Sequence, residues 1–432
     1  MYDPAINERI NKIKLGKLQM DYLVGRLVSN MATNAASAMA LRDPEDAQGG
    51  RSHIVDLINS EDLHVILVGT GSPLVQEGRV GPCTAVVGAG HFFLVDCGPA
   101  SFRSMRFIGL PLGRLSGILL THFHSDHIGD LGEVMTNSWL GGRVGKTQVY
   151  GPKGVHTVVD GYSQAYRLDQ GYRTAHHGAD LLPPETHGFR TELIPEVPEG
   201  QDNVTIFHDG ETGFTIKAFE VNHAPVSPAY GVRFELGARS VVVSGDTCKC
   251  SSLVQNAKHC DLLVQEAISC EVVGRIAKAM KDRDHPNTNR TAKFLDDIVD
   301  YHTPVQEALE IAAEACVKEM VFTHLVPTPA NQLLESFFLA KASKPPSWDG
   351  NVSVGADGMI FTVREGNEVE MISEGTKKRI NPARAASQIG AALAVLGYFM
   401  STSKRKKKAA LVAAIFSLGS WLRSERYYVA KM

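Results

Sequence analysis

The chain has 432 residues, 44% of them hydrophobic and 21% charged, with a formal net charge of -3. That length buries one large core or two moderate ones. The near-balance of charge excludes a protein whose main task is to coat itself in nucleic acid, although a local basic patch stays open. The seven cysteines form no C-x-x-C framework, only C-x-C at Cys248 and Cys250, which suits a reducing compartment better than a secreted disulfide scaffold.

At the start of the chain, Ile6, Ile10 and Ile13, then Leu23, Leu27 and Val28, recur at helical spacing, while Glu8, Arg9, Lys12, Lys14 and Lys17 interrupt any continuous apolar core. An amphipathic helix packed on its own domain is expected here, not a signal peptide. Residues 31–51 are rich in Ala, Asn, Ser, Asp and Gly and read as a linker, so 1–60 forms a helical extension. From Leu63 the character changes. "HVILVGTGSP", "TAVVGAGHFFLVDCG", "LSGILLTHFHSDH" and "KTQVYGPKG" are strand-like runs closed by Gly, Pro or Asp, and "FTIKAFEVNHAP", "YGVRFEL", "SVVVSGDT", "CDLLVQEA" and "EMVFTHLVP" follow. "TPVQEALEIAAEACV" has the apolar period of a helix. Many strands with a few helices between them predict stacked sheets with helices outside, an α/β sandwich over 61–375.

The tail, 376–432, carries two apolar runs, 385–400 and 409–422, on either side of Lys404-Arg405-Lys406-Lys407-Lys408. Each is shorter than the ~20 residues that span a bilayer comfortably. A hairpin associated with the membrane, its basic run on the cytoplasmic side, is the expectation; a helical pair docked on the domain is the alternative. The expected location is therefore cytoplasmic, with attachment to the membrane through the tail.

The chemistry concentrates in "LLTHFHSDHIGD", residues 119–130. His122, His124, Asp126 and His127 crowd into six positions directly behind a buried-strand run. Imidazole and carboxylate are the ligands a borderline cation such as zinc prefers, and a lone surface histidine does not account for four of them. Further ligands are expected at other strand ends. His223 ends "FEVNH", Asp246 ends "VVVSGD" and His324 ends "MVFTH". Singly each has a plain reading as a core or turn residue; together they repeat one strand-then-ligand grammar.

These residues, with Gly69-Thr70-Gly71-Ser72-Pro73, Asp96, Gly151-Pro152-Lys153-Gly154, Ser244-Gly245-Asp246-Thr247, Gln265-Glu266-Ala267 and His302-Thr303, resemble the metallo-β-lactamase superfamily, in its ribonuclease Z and metal-dependent arylsulfatase-like branch. The resemblance covers roughly residues 63 to 365. It implies an αββα sandwich with two zinc ions per chain. One ion would take His122, His124 and His223, the other Asp126, His127 and His324, with Asp246 bridging and Asp126 also serving as base or water-positioning group. It implies as well that Glu266 and His302 form a carboxylate–imidazole pair donating a proton to the leaving oxygen. The chain departs from the family in having Gln265 where a histidine is usual, and in a helix-like insertion, "EVVGRIAKAMKDRDHPNTN", between Glu266 and His302. His285 within it is a competing candidate. Asp96 is a candidate acceptor for a ligand histidine, or an ordinary strand-end carboxylate.

Ribonuclease Z proteins recognise tRNA through an arm between the first motif and the third ligand. Here that stretch, residues 154–211, sets Arg167, Arg173 and Arg190 against Asp160, Asp169, Asp180 and several glutamates. A tRNA clamp should be strongly basic. Tyr162, Tyr166, Asp169, Tyr172, Arg173, His176 and His177 look instead like the helical flap of the arylsulfatase-like relatives, though each aromatic could equally pack against the sandwich. The expected function is a dinuclear zinc hydrolase of a phosphodiester or sulfate ester of modest size, with a tRNA 3′-end endoribonuclease as the alternative. A lactonase or β-lactamase, and a non-catalytic membrane-tethered scaffold, rank lower. A homo-oligomer is compatible with the sequence.

Overall fold

The computed structural model describes residues 53–375 except 284, 331 and 367, so the N-terminal helix, its linker and the apolar tail expected above lie outside the described residues. Residues 53–329 and 337–375 belong to one unit, and 330–336 are grouped with the tail in a second.

The first half of the unit runs α1 (His53–Asn59), β1 (Leu63–Gly69), β2 (Cys83–Gly88), β3 (His91–Val95), α2 (Ser101–Ile108), β4 (Gly117–Leu119), α3 (Ser125–Ile128), α4 (Leu131–Leu140), β5 (Gln148–Gly151), α5 (Val155–His177) and β6 (Arg190–Leu193). The second half runs β7 (Val204–His208), β8 (Thr215–His223), β9 (Val226–Leu236), β10 (Arg239–Val243), α6 (Ser251–Ala257), β11 (Leu262–Ile268), α7 (Cys270–Lys281), α8 (Pro286–Asp297), α9 (Val305–Glu314), β12 (Glu319–Val326), β13 (Asn351–Val354), β14 (Met359–Val363) and β15 (Val369–Glu374). One sheet has the order β15-β14-β1-β2-β3-β4-β5-β6 and the other β13-β12-β11-β10-β9-β8-β7.

The strands read as continuous apolar runs because both their faces are buried. Along β1, Val65 and Leu67 join Val86 and Phe93 in facing the other sheet, where Ile216, Phe234, Val241 and Val264 meet them. Ile66 and Val68 face outward under Ile54, Met105, Met135 and Val159 of the covering helices. Phe219, Val242, Leu263 and Phe322 turn to the opposite outer layer, under Leu253, Leu309 and Ala312. The result is the αββα sandwich expected from the sequence.

Two segments leave the sandwich. The insertion before His302 is a helical pair, α7 and α8, with a small core of Val273, Ala277, Ala292 and Leu295. The arm is α5 and its return limb. Tyr162 donates to the Ile128 carbonyl at the end of α3 at 2.8 Å and Tyr166 to Glu133 of α4 at 3.1 Å, and both rings pack over Gly132 of α4. Leu168 and Tyr172, farther along, are exposed. The return limb is fastened where Trp139 Nε1 donates to the Pro183 carbonyl and Arg143 Nη2 to the carbonyls of Thr186 and Gly188. Among the described residues no helix is long and apolar enough to cross a membrane.

Candidate metal centre

The ligands gather along one edge of the sandwich because the strands of both sheets stop or buckle there. After β4 the chain turns through Thr121 and His122 into α3, a single turn that carries Asp126 and His127. β8 ends on His223, and β10 ends three residues before Asp246. His324 differs from its expected place. β12 does not close on it but continues to Val326. The pairing with β11 slips there: Glu266 opposes Thr323 and Ala267 opposes Leu325, leaving His324 as the extra residue of a bulge, with φ 42°. A bulge re-aims one side chain without ending the strand, and this one turns an imidazole into the site.

Asp246 is the hub. Its Oδ2 lies 3.2 Å from His127 Nε2, 3.3 Å from His324 Nε2, 3.9 Å from His223 Nε2, and 4.0 Å from both His122 Nε2 and His302 Nδ1. Asp126 Oδ2 stands 3.2 Å from His324 Nε2 and 3.5 Å from His127 Nε2. Candidate ligand atoms of His122, His124, His223 and Asp246 lie within 4.8 Å of one another, as do those of Asp126, His127 and His324. A third such trio, Asp246, His302 and His324, brings His302 to the rim of the cluster.

The electrostatics are those of one buried carboxylate shared among imidazoles. Burial alone would raise Asp246, but His127 and His324 hold it well below the usual carboxylate range. Burial likewise opposes charge on His127, yet Asp246 and Asp96 on either side hold that imidazole well above its ordinary value. His122 is driven down by burial and by His127, and His223 is lowered to about 4, chiefly by burial. Such opposed shifts mark imidazoles that compete for one counter-charge. Nε2 of His127 is buried with no aligned hydrogen-bond partner, although a carboxylate oxygen is 3.2 Å away. Five imidazoles and two carboxylates converging around such an atom fit a pair of borderline divalent cations.

Groups behind the ligands fix which nitrogen each presents. His127 Nδ1 donates to Asp96 Oδ2 at 2.7 Å and His223 Nδ1 to the Tyr301 carbonyl at 2.9 Å, leaving Nε2 for the cluster in both cases. Thr121 Oγ1 bonds Asp96 Oδ2 and lies 3.0 Å from His122 Nδ1. Thr121 and Tyr301 were not singled out in the sequence. Thr121 stands directly before the first ligand, a signal that was available; a backbone carbonyl leaves no trace in residue type.

Glu266 and His302 meet although 36 positions separate them. His302 Nδ1 lies 3.3 Å from Glu266 Oε1, which also accepts from the backbone N–H groups of Thr247 and Thr303. Burial would lower His302, but the facing Glu266 carboxylate pushes it up to about 9. The other candidates stand apart from this cluster. His285 caps α8, accepting from the Asn287 N–H, and His176 and His177 are exposed at the end of α5.

Residues 91–325 match the family model described as a beta-lactamase superfamily domain. The ribonuclease Z of Mycobacterium bovis (strain BCG / Pasteur 1173P2) is 35% identical over 300 residues, 68% of this chain and 96% of the relative. That of Mycobacterium marinum is 37% identical over 268 residues, 61% of this chain and 87% of the relative. Among solved structures, human tRNase Z, short form, is 22% identical over 69% of this chain and 98% of its own, with a TM-score of 0.46. The chain belongs to the metallo-β-lactamase superfamily, in its ribonuclease Z branch. It is a metal-dependent hydrolase.

Proposed function

We propose that the chain is a ribonuclease Z-type endoribonuclease that cleaves precursor tRNA on its 3′ side, using two zinc ions. The observation that carries this reading is the similarity to a ribonuclease Z along 96% of that relative's length, joined to the buried Glu266–His302 pair beside the ligand cluster. It reverses the order of preference drawn from the sequence, where the smaller ester came first; the relatives favour the endonuclease over a sulfatase.

One ion would be held by His122, His124 and His223, the other by Asp126, His127 and His324, with Asp246 shared. Such a pair, when bound, acidifies water and offsets charge on the attacked phosphate. The chain's own residues do the rest. Asp96 and the Tyr301 carbonyl keep His127 and His223 in the tautomer that presents Nε2. Asp126, 3.2 Å from His324, can orient the attacking water. His302, with Nδ1 turned to Glu266, leaves Nε2–H for the departing oxygen, and Glu266 offsets the charge of the imidazolium.

A phosphodiester smaller than tRNA is a second reading, favoured by the arm: Arg173 is tied to Asp169 at 2.7 Å, and Tyr162 and Tyr166 are spent on packing. The zinc-loaded protein assayed on precursor tRNA, bis-aryl phosphate and aryl sulfate separates the cases, with fastest turnover on precursor tRNA expected. In the same assay His302→Ala should slow a nucleotide or alkyl ester by roughly 10²–10⁴-fold, the worth of a placed general acid, and a nitrophenyl ester far less. Glu266→Gln should show the same selectivity more weakly. Equal losses on both esters would sink the donor role.

A further inference from the structure

Immediately inside the ligand cluster, between the two sheets, lies a cavity of about 20 Å³. Its walls include Val95 and Val243, which belong to the inter-sheet core, so it extends inward from the ligands. A space of about 10–15 Å³ suffices for one water molecule, provided two to four polar groups face it. Polar side chains from both sheets line this one, those of Glu266, Thr84 and Thr323 among them, beside the candidate ligands His127, Asp246 and His324. Glu266 Oε2 is wholly buried and has no hydrogen-bond partner, in contrast to the three contacts made by Oε1. Thr84 and Thr323 also line it, and neither hydroxyl bonds another protein group among the described residues. Strand alternation places all three on the inward face. Thr84 shares parity with Val86, Glu266 with Val264 and Thr323 with Val321, each of them an inter-sheet core residue.

We infer that this cavity holds one structural water, bonded by Glu266 Oε2, Thr84 Oγ1 and Thr323 Oγ1, and that Thr84 is thereby a positioning residue for the proton donor. The terminal torsion of a glutamate is broad, so a carboxylate gripped at one oxygen can still swing. Bonding the second oxygen from behind stops that rotation and keeps Oε1 opposite His302. The water also relieves a carboxylate oxygen that burial would otherwise leave unsatisfied. The inference rests on the Glu266–His302 donor reading for its effect on rate; the water itself does not.

The test uses the zinc-loaded full chain. A high-resolution crystal structure should show an ordered oxygen within hydrogen-bond distance of Glu266 Oε2, lost or displaced in Thr84→Val. That variant, nearly the same volume without the hydroxyl, should slow an alkyl phosphodiester about 2–10-fold, the range of one ordinary hydrogen bond. A nitrophenyl phosphodiester should be unaffected, with zinc content unchanged, and Thr84→Ser should restore the rate. A dry cavity overturns the inference. So does a Thr84→Val enzyme that matches the wild type on both esters, or one that loses equally on both. His302→Ala serves as the reference: if it fails to discriminate between the esters, the donor reading falls, while the ordered water is still decided by diffraction.

Discussion

A single carboxylate sets the character of the site. With Asp246 Oδ2 within 4.0 Å of five imidazoles, removing it takes away the acceptor that balances all of them. Asp246→Ala should therefore lower zinc from about two ions per chain to fewer than one, measured by elemental analysis, and abolish turnover, because a shared ligand serves both positions. A fully loaded, active variant would remove Asp246 from the ligand set. The neighbouring Gly245 explains why the motif tolerates no bulk: its φ is 62°, and a Cβ there would lie 2.6 Å from the Tyr230 carbonyl. That constraint was visible in the sequence only as Ser-Gly-Asp-Thr, a pattern that also suits a plain turn.

Among the elements, strand periodicity carried the reading a long way. Apolar runs closed by a ligand or a turn residue exposed the sheets and brought His122, His124, Asp126, His127, His223, Asp246 and His324 forward. His324 shows the limit. A bulge depends on how two strands slip past one another, and a one-residue slip is a property of the pair that neither run displays alone. The arm shows another limit, since the packing role of Tyr162 and Tyr166 depends on α4, two elements earlier. Its return limb yields a prediction of its own. His187 is buried beside Arg143, with its ring edge-on to Trp139 at 5.0 Å, and burial, then Arg143, lowers it to about 4. In the unfolded chain it takes up a proton near 6.5, so the unfolded state binds protons first and stability falls as pH drops from about 6.5 toward 4. The loss should reach roughly 2–3 kcal/mol at the acid end, by that linkage. Urea unfolding at pH 7 and pH 4.5 should show a smaller drop for His187→Gln than for the wild type. Equal drops would mean that the limb carries none of the acid sensitivity.

The whole molecule draws its site from both halves of the sandwich. Asp96, His122, His124, Asp126 and His127 follow strands of one sheet; His223, Asp246, Glu266 and His324 belong to the other. Ions held by both sets would stitch the layers together, so chelation should lower Tm as well as activity. Each hundredfold excess of free metal over its Kd adds about 2.7 kcal/mol to the folded state. Differential scanning calorimetry with and without chelator, followed by zinc add-back, measures this; an unchanged Tm would mean that the layers hold without the metal.

The order in which those residues are made has a consequence during synthesis. A ribosome making this chain releases His122, His124, Asp126 and His127 long before His223 and Asp246, and His324 last of all. At the ribosome's pace of about 5–20 residues per second, the hundred positions between His124 and His223 and the hundred between His223 and His324 each take several seconds. Throughout that time the nascent polypeptide displays an incomplete chelate, four donors at first and six once Asp246 is made, able to seize a cation with nothing yet to impose number or geometry. Loading that is correct in identity and stoichiometry must therefore follow the emergence of β12. Chains arrested before Phe322 should bind zinc loosely and exchange it freely, whereas those completed past Val326 should retain it.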